Sequence, residues 1–185
     1  SNATKKNIQD NLLKLVKYSH KYKYSKLFVY YTGHGSYFTD NKEYDKSSEY
    51  LIPHDYLFNG IITDNWIRDN FTTKLHKTTS VFVLMDCCSS ATNFDLPLKY
   101  DGERWEITRN RNVQAEIIKI NGCGDEQVAY ELKNYGVLTH VFNKCFNKKR
   151  KIKDIFTNIN KIIKSLQKPY ITCSYRYLID KNIKY

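Results

Sequence analysis

Residues that interrupt regular structure are scarce: three prolines and seven glycines in 185 positions. That scarcity excludes a collagenous or Pro/Gly-rich linker chain and leaves room for uninterrupted elements. No apolar run reaches the ~18 residues that a membrane span needs, and no secretory leader is legible. The five cysteines, at 87, 88, 123, 145 and 173, include no CxxC or CxxH spacing, which removes the usual zinc patterns. Their odd number, with two of them adjacent, is a poor basis for a disulfide framework. Reduced thiols in a cytoplasmic setting are the expectation. Acidic residues are outnumbered, 19 against 30 Lys and Arg, for a net charge of +11.

A surplus of positive charge raises the question of nucleic acid. The densest basic run, "NKKRKIKD" at 147–154, lies between two helical patterns and is joined by no recognition motif or stacking platform. It reads as a solvated, Lys-rich surface. Apolar residues at 41% and aromatics at 15% are enough for a core and too many for a disordered chain. Ser1-Asn2-Ala3 reads as the remnant of tag cleavage, and residues 4–185 fit one domain.

Strands and helices alternate. "TKKNIQDNLLKLVKYSHK" puts Ile8, Leu12, Leu15 and Val16 on one helical face, with Thr4 as N-cap. "KLFVYYT" (26–32) is a short β-rich run ending in Gly33-His34-Gly35. A polar loop is expected to about residue 48, then a strand at 50–53. A helix follows, capped by Thr63 or Asp64, with Trp66, Ile67 and Phe71 inward. "SVFVLMD" (80–86) is a buried strand, and 89–112 reads as one long loop. "AEIIKI" (115–120) is a third strand. Helices are expected over "VLTHVFNKCF" and over "IKDIFTNINKIIKSL", the second burying Ile152, Ile155, Phe156, Ile159, Ile162, Ile163 and Leu166. "YITCSYRYLI" closes the chain as a fourth strand. Continuous apolar strands between helices predict an α/β fold, its central sheet mostly parallel and covered on both faces.

Ligands of such sheets bind at the carboxyl ends of strands, and His34 and Cys88 both lie just beyond such ends, 54 positions apart (88 minus 34). Alone, Gly-His-Gly is as well explained by an exposed or structural loop, and a lone cysteine by packing. Together they permit a thiol activated by an imidazole. The glycines beside His34 free a backbone N–H for a developing oxyanion.

"FVYYTGHGS" and "VFVLMDCCSSATNFDLP" resemble the two catalytic blocks of the metacaspases, cysteine peptidases with a caspase-like fold. "INGCGDEQVAYE", "GVLTHVF" and "LQKPYITCS" resemble later family blocks, so the likeness spans about 26–175 in order. It implies a large-subunit-like part to about 112 and a small-subunit-like part from about 113. It makes Cys88 the nucleophile and His34 the base, with the N–H groups of Gly35 and Cys88 as the oxyanion hole. Asp86 becomes the acid of an S1 pocket selecting Arg or Lys; by the residues alone it reads equally as a capping carboxylate. Salt screens the +11 charge within ~8 Å, so a local acid still decides specificity.

The resemblance also implies calcium as an activator, though not as a participant in the chemistry. Asp64, Asn65, Asp95 and Glu49 would be its ligands, with an amide at 65 and Ser48 where carboxylates are usual. Weak binding or none is expected, and Asp64 reads as well as an N-cap. Ser89 and Ala91 depart from the family's His and Gly. The family's early β-α-β section is missing, so an exposed sheet edge is expected on an otherwise monomeric protein. Two functions remain: an endopeptidase acting on protein or peptide substrates after Arg or Lys, or a catalytically weak or inactive caspase-like module that binds peptides or partners. Neither involves a membrane or nucleic acid.

Overall fold

Helix α1 (Lys5–Lys21) starts where Thr4 accepts a 3.3 Å bond from the Asn7 N–H, and it turns Leu12 into the core. The structure, a computed structural model, describes residues 2–39, 47–87, 93–108, 112–123, 131–132 and 135–183. From α1 the chain enters β1 (Lys26–Thr32), β2 (His34–Thr39), β3 (Ser47–Ile52), the single turn α2 (Tyr56–Asn59) and β4 (Ile62–Thr63). Next come α3 (Asp64–Ile67), which widens into a π-type turn at Arg68–Thr72, and β5 (Ser80–Asp86). Strands β6 (Leu98–Tyr100), β7 (Trp105–Ile107), β8 (Glu116–Asn121), β9 (Glu131–Leu132) and β10 (Tyr135–Gly136) follow. The chain ends with α4 (Val137–Cys145), α5 (Ile152–Ile163), β11 (Tyr170–Cys173) and a 3-10 turn, Arg176–Asp180.

Six strands form the main sheet in the order β1-β5-β8-β11-β6-β7. β1, β5 and β8 are mutually parallel; β11 runs against β8 and β6, and β7 against β6. Four strands therefore share one direction. Every residue of β5 after Ser80 is buried because both sheet faces are covered. Val81, Val83 and Met85 pack with α1, α3 and the π-type turn; Phe82 and Leu84 pack with α4 and α5. Burial of each such side chain contributes about 1.5–3 kcal/mol. This is the caspase-like α/β architecture expected from the strand–helix alternation.

Several expectations are corrected. The polar loop after Gly35 is in part strand: β2 pairs antiparallel with β3, which begins at 47 rather than 50. The span 89–112 is not one loop, since β6 and β7 extend the sheet beyond β11. Lys99 consequently sits in a paired strand. The last strand stops at Cys173 and is antiparallel. Ile162 and Leu166 are exposed, because α5 ends at Ile163 and its buried stripe is Ile152, Ile155, Phe156, Ile159 and Ile163. Among the described residues β1 ends the strand order, with Phe28 and Tyr30 exposed on it.

Candidate functional site

The site is built where β1 and β5 end. Their parallel register pairs Lys26 with Ser80 and runs without slip to Thr32 opposite Asp86. One residue further, the Gly33 N–H donates to the Asp86 carbonyl at 3.4 Å. His34 stands two residues past this matched pair, whose strands run ~4.8 Å apart, and in the sequence Cys88 follows Asp86 by the same count. His34 opens β2 and is exposed; Gly35 follows it opposite Leu51. The Tyr31 hydroxyl donates to the His34 carbonyl at 3.0 Å, folding the phenol under the Gly33 turn. Burial, and then the neighbouring Cys87, holds that hydroxyl above the ordinary tyrosine range. It remains a donor and a strut.

Cys88 lies outside the described residues. Its neighbour Cys87 is 1% exposed and packs in the α1-side core, where its carbonyl accepts the Cys123 thiol at 3.5 Å. Cys123 and Cys173 are also buried, and Cys145 half-buried. Burial pushes the Cys173 thiol up to about 12 and raises that of Cys145. Neither is an activated nucleophile.

Asp86, the last residue of β5, is 4% exposed and points to the opposite face. Its Oδ2 accepts from the Thr139 N–H at 2.7 Å and from Thr139 Oγ at 2.5 Å. The carboxylate thus caps the first turn of α4, where the helix dipole favours an anion. Tyr30 extends the chain, with its hydroxyl 3.1 Å from Thr139 Oγ. Asp86 Oδ1 is buried and has no hydrogen-bond partner among the described residues. Thr139 was not singled out in the sequence, and neither was Gly136. A Cβ on Gly136 would overlap the Asp86 carboxylate, although its backbone (φ −61°, ψ 135°) suits any residue. Gly136→Ala is therefore expected to destabilise by about 2–3 kcal/mol through overpacking. Urea unfolding checks this, and the loss should shrink in an Asp86→Ala background; simple additivity of the two changes would exclude the clash.

Of the four residues singled out for calcium, Asn65 and Asp95 contact Arg68, and Asp64 and Glu49 meet each other. Asp64 is fully buried: its Oδ1 accepts from Ser48 Oγ (3.0 Å) and Asn65 N–H (2.6 Å), its Oδ2 from Glu49 N–H (3.2 Å). Burial first, and the nearby Asp95 as well, hold its carboxyl above the usual range. Glu49 is buried and meets Asp64 through its main chain. Arg68 Nη1 donates to Asp95 Oδ2 at 3.0 Å and, in a short contact, to Asn65 Oδ1. Nε and Nη2 grip both oxygens of Asp69, at 2.7 and 3.1 Å. Asp69 first, then Asp95, holds the guanidinium charged. Calcium takes six to eight oxygens. Here those of Asp64 already accept three hydrogen bonds, and Asp95 Oδ2 and Asn65 Oδ1 face a cation, so the arrangement does not fit the ion. Among the described residues no group of three or more His, Cys, Asp or Glu side chains is placed to hold a metal.

Lys119 is a further residue that the sequence reading passed over. It is 0% exposed in β8, donates to Asn93 Oδ1 at 2.7 Å and lies 5.2 Å from the Phe94 ring centre. With Thr72 Oγ1 donating to the Phe94 carbonyl (3.1 Å) and Arg68 to Asp95, the segment leaving residue 92 is held at three consecutive residues.

Comparison with known proteins bears on family and fold. The family model described as metacaspase, peptidase C14 domain, matches residues 1–97. An "inactive metacaspase-4" of Trypanosoma brucei brucei is 31% identical over 121 residues, 58% of this chain and 34% of that protein. A metacaspase-1 of Plasmodium falciparum is 28% identical over 111 residues, 57% and 18%. A metacaspase III c of Phaeodactylum tricornutum is 37% identical over 91 residues, 46% and 27%. The matched part spans about a third or less of these curated relatives. In fold, a crystal structure of a Geobacter sulfurreducens protein superposes with a TM-score of 0.69 at 19% identity, covering 98% of this chain and 78% of that one. On the family model, which takes in more than half its residues including both strand ends of the site, the chain belongs to the metacaspases, peptidase family C14.

Proposed function

We propose that the chain is a cysteine endopeptidase domain cleaving after arginine or lysine, with Cys88 as nucleophile and His34 as acid–base partner. The observation that carries this reading is the β1–β5 register, which ends with Thr32 opposite Asp86, so that His34 follows the end of one strand by two residues and, in the sequence, Cys88 follows the end of its neighbour by the same count. The burial of Cys87 supports it by leaving the second thiol of the pair for chemistry. In the reaction, the Cys88 sulfur attacks the scissile carbonyl carbon as its proton passes to His34. The Gly35 and Cys88 N–H groups take the charge that develops on oxygen. His34 returns the proton to the leaving amine as the C–N bond breaks. Water, deprotonated by His34, then splits the thioester and restores the thiol. Asp86 supplies the negative charge for the basic side chain, its Oδ1 being the oxygen left over from the α4 cap.

A peptide electrophile with Arg at P1 tests the assignment when compared with the same electrophile bearing Asp. We expect the label on Cys88 alone, with the Arg probe reacting at least ~10-fold faster. Equal rates, or no labelling, favour the second reading, a catalytically weak or inactive module that binds peptides or partners. One observation speaks for that reading: an Asp86 oxygen already doubly bonded to Thr139. Similarity to a relative named inactive points the same way.

A further inference from the structure

We infer that Arg68 is the built-in cation of the acidic cluster, its guanidinium standing where a divalent metal would otherwise be needed to hold the segment at Asp95. Three observations carry this. Arg68 reaches three chain positions, Asn65 and Asp95 through Nη1 and Asp69 through Nε and Nη2 in a planar fork. That multidentate reach is what a guanidinium offers and an ammonium does not. The Asp95 side chain is 0% exposed and its backbone takes a positive φ of 52°, disfavoured outside glycine. A buried carboxylate in that conformation needs a cation to hold it. Finally, α3 widens at Arg68, whose carbonyl accepts both the Thr73 N–H (3.0 Å) and the Thr73 hydroxyl (2.9 Å). The main chain that aims the arginine is itself fixed.

The consequence is a latent metal site. Removing the guanidinium leaves the side-chain oxygens of Asn65, Asp69 and Asp95 that it held without its charge, and a divalent or lanthanide ion then has oxygens to bind. This stands apart from the peptidase assignment, because its readouts are binding and melting temperature rather than turnover. Calcium and terbium are titrated into the full chain and into Arg68→Ala, with terbium emission sensitised through Trp66, next to Asn65. We expect the unaltered protein to melt at the same temperature with or without millimolar calcium and to give no sensitised emission from this site. Arg68→Ala should melt roughly 6–12 °C lower without metal, as removal of one partner of a buried pair does. It should regain part of that loss with calcium, and Asp95→Asn in the same background should abolish the gain.

Arg68→Lys keeps the charge but not the fork; it is expected to fold, to melt between Arg68→Ala and the parent, and to ignore calcium. If Arg68→Ala folds only with calcium, the inference stands. It is overturned if the unaltered protein binds calcium and is stabilised by it, if Arg68→Ala is as stable as the parent, or if Arg68→Ala melts low but is indifferent to metal. Should Arg68→Ala fail to fold under either condition, Arg68→Lys decides: a folded, calcium-indifferent lysine variant upholds the charge argument, and an unfolded or calcium-dependent one refutes it.

Discussion

Turnover of an Arg-P1 fluorogenic peptide is expected to fall by at least ~10⁴ in Cys88→Ala and to stay within ~10-fold of the parent in Cys87→Ala. The contrast follows from where the two thiols belong. A nucleophile and its base act as one unit, so losing either removes nearly all of the chemical rate. Cys87 is a small apolar filler in a covered core; deleting its sulfur leaves a small void at a cost of about 1 kcal/mol. Steady-state kinetics and a denaturant curve on both variants separate the effects: one should lose rate without stability, the other stability without much rate. If Cys87→Ala is the silent enzyme and Cys88→Ala the active one, the nucleophile has been assigned to the wrong thiol. If neither variant nor the parent turns over, the binding-module reading takes over.

The sequence was legible where local pattern and tertiary environment agree. β1, β5 and β8 are apolar on both faces, and Thr63 both looks like and is an N-cap, its side chain accepting from Trp66 N–H at 3.2 Å. The strand ends, and with them positions 34 and 88, could be read because the apolar runs stop there. What escaped depends on pairing partners that no local window contains. β2 carries a polar, aromatic and glycine mixture whose strand state comes from β3 across a hairpin. β6 and β7 are three residues each, too short for periodicity to register. The antiparallel sense of β11 is set by the α5 connection bringing the chain back beside β8, not by its composition.

Site residues divide the same way. His34, Gly35 and Asp86 sit at strand ends, and motif and place coincide. Asp64 meets the Glu49 main chain, while Asn65 and Asp95 are drawn together by Arg68. Arg68 was not singled out; it lies where α3 widens and reaches Asp95, 27 positions away. Lys119 might have been found: a lysine in the middle of a run whose other members read as two-sided core is an anomaly that asks for a partner. Its partner, Asn93, lies 26 positions away, so the anomaly could be seen but its resolution could not.

Asp86→Asn is expected to lower kcat/KM for an Arg-P1 peptide by ~10² or more while changing stability little. Asparagine keeps an oxygen for the Thr139 N–H and hydroxyl, so the α4 cap survives. What disappears is the negative charge, and a charged partner in a desolvated pair is worth several times a neutral one. The buried Oδ1 is the reason to expect the charge to matter to substrate. An acceptor out of contact with water and without a donor costs about 1–3 kcal/mol, and a guanidinium or ammonium brought by substrate would supply the donor. Thr139→Val is the complementary change. It removes the 2.5 Å hydroxyl bond but keeps the N–H bond at 2.7 Å, so it should cost about 1 kcal/mol of stability and leave the preference for Arg over Asp intact. Should Asp86→Asn keep the Arg preference and lose only stability, the carboxylate is a helix cap and nothing more, and the specificity acid must be sought elsewhere. Loss of preference in both variants would mean instead that the cap and the pocket are one structure, with the Thr139 hydroxyl fixing the orientation in which Oδ1 meets the substrate.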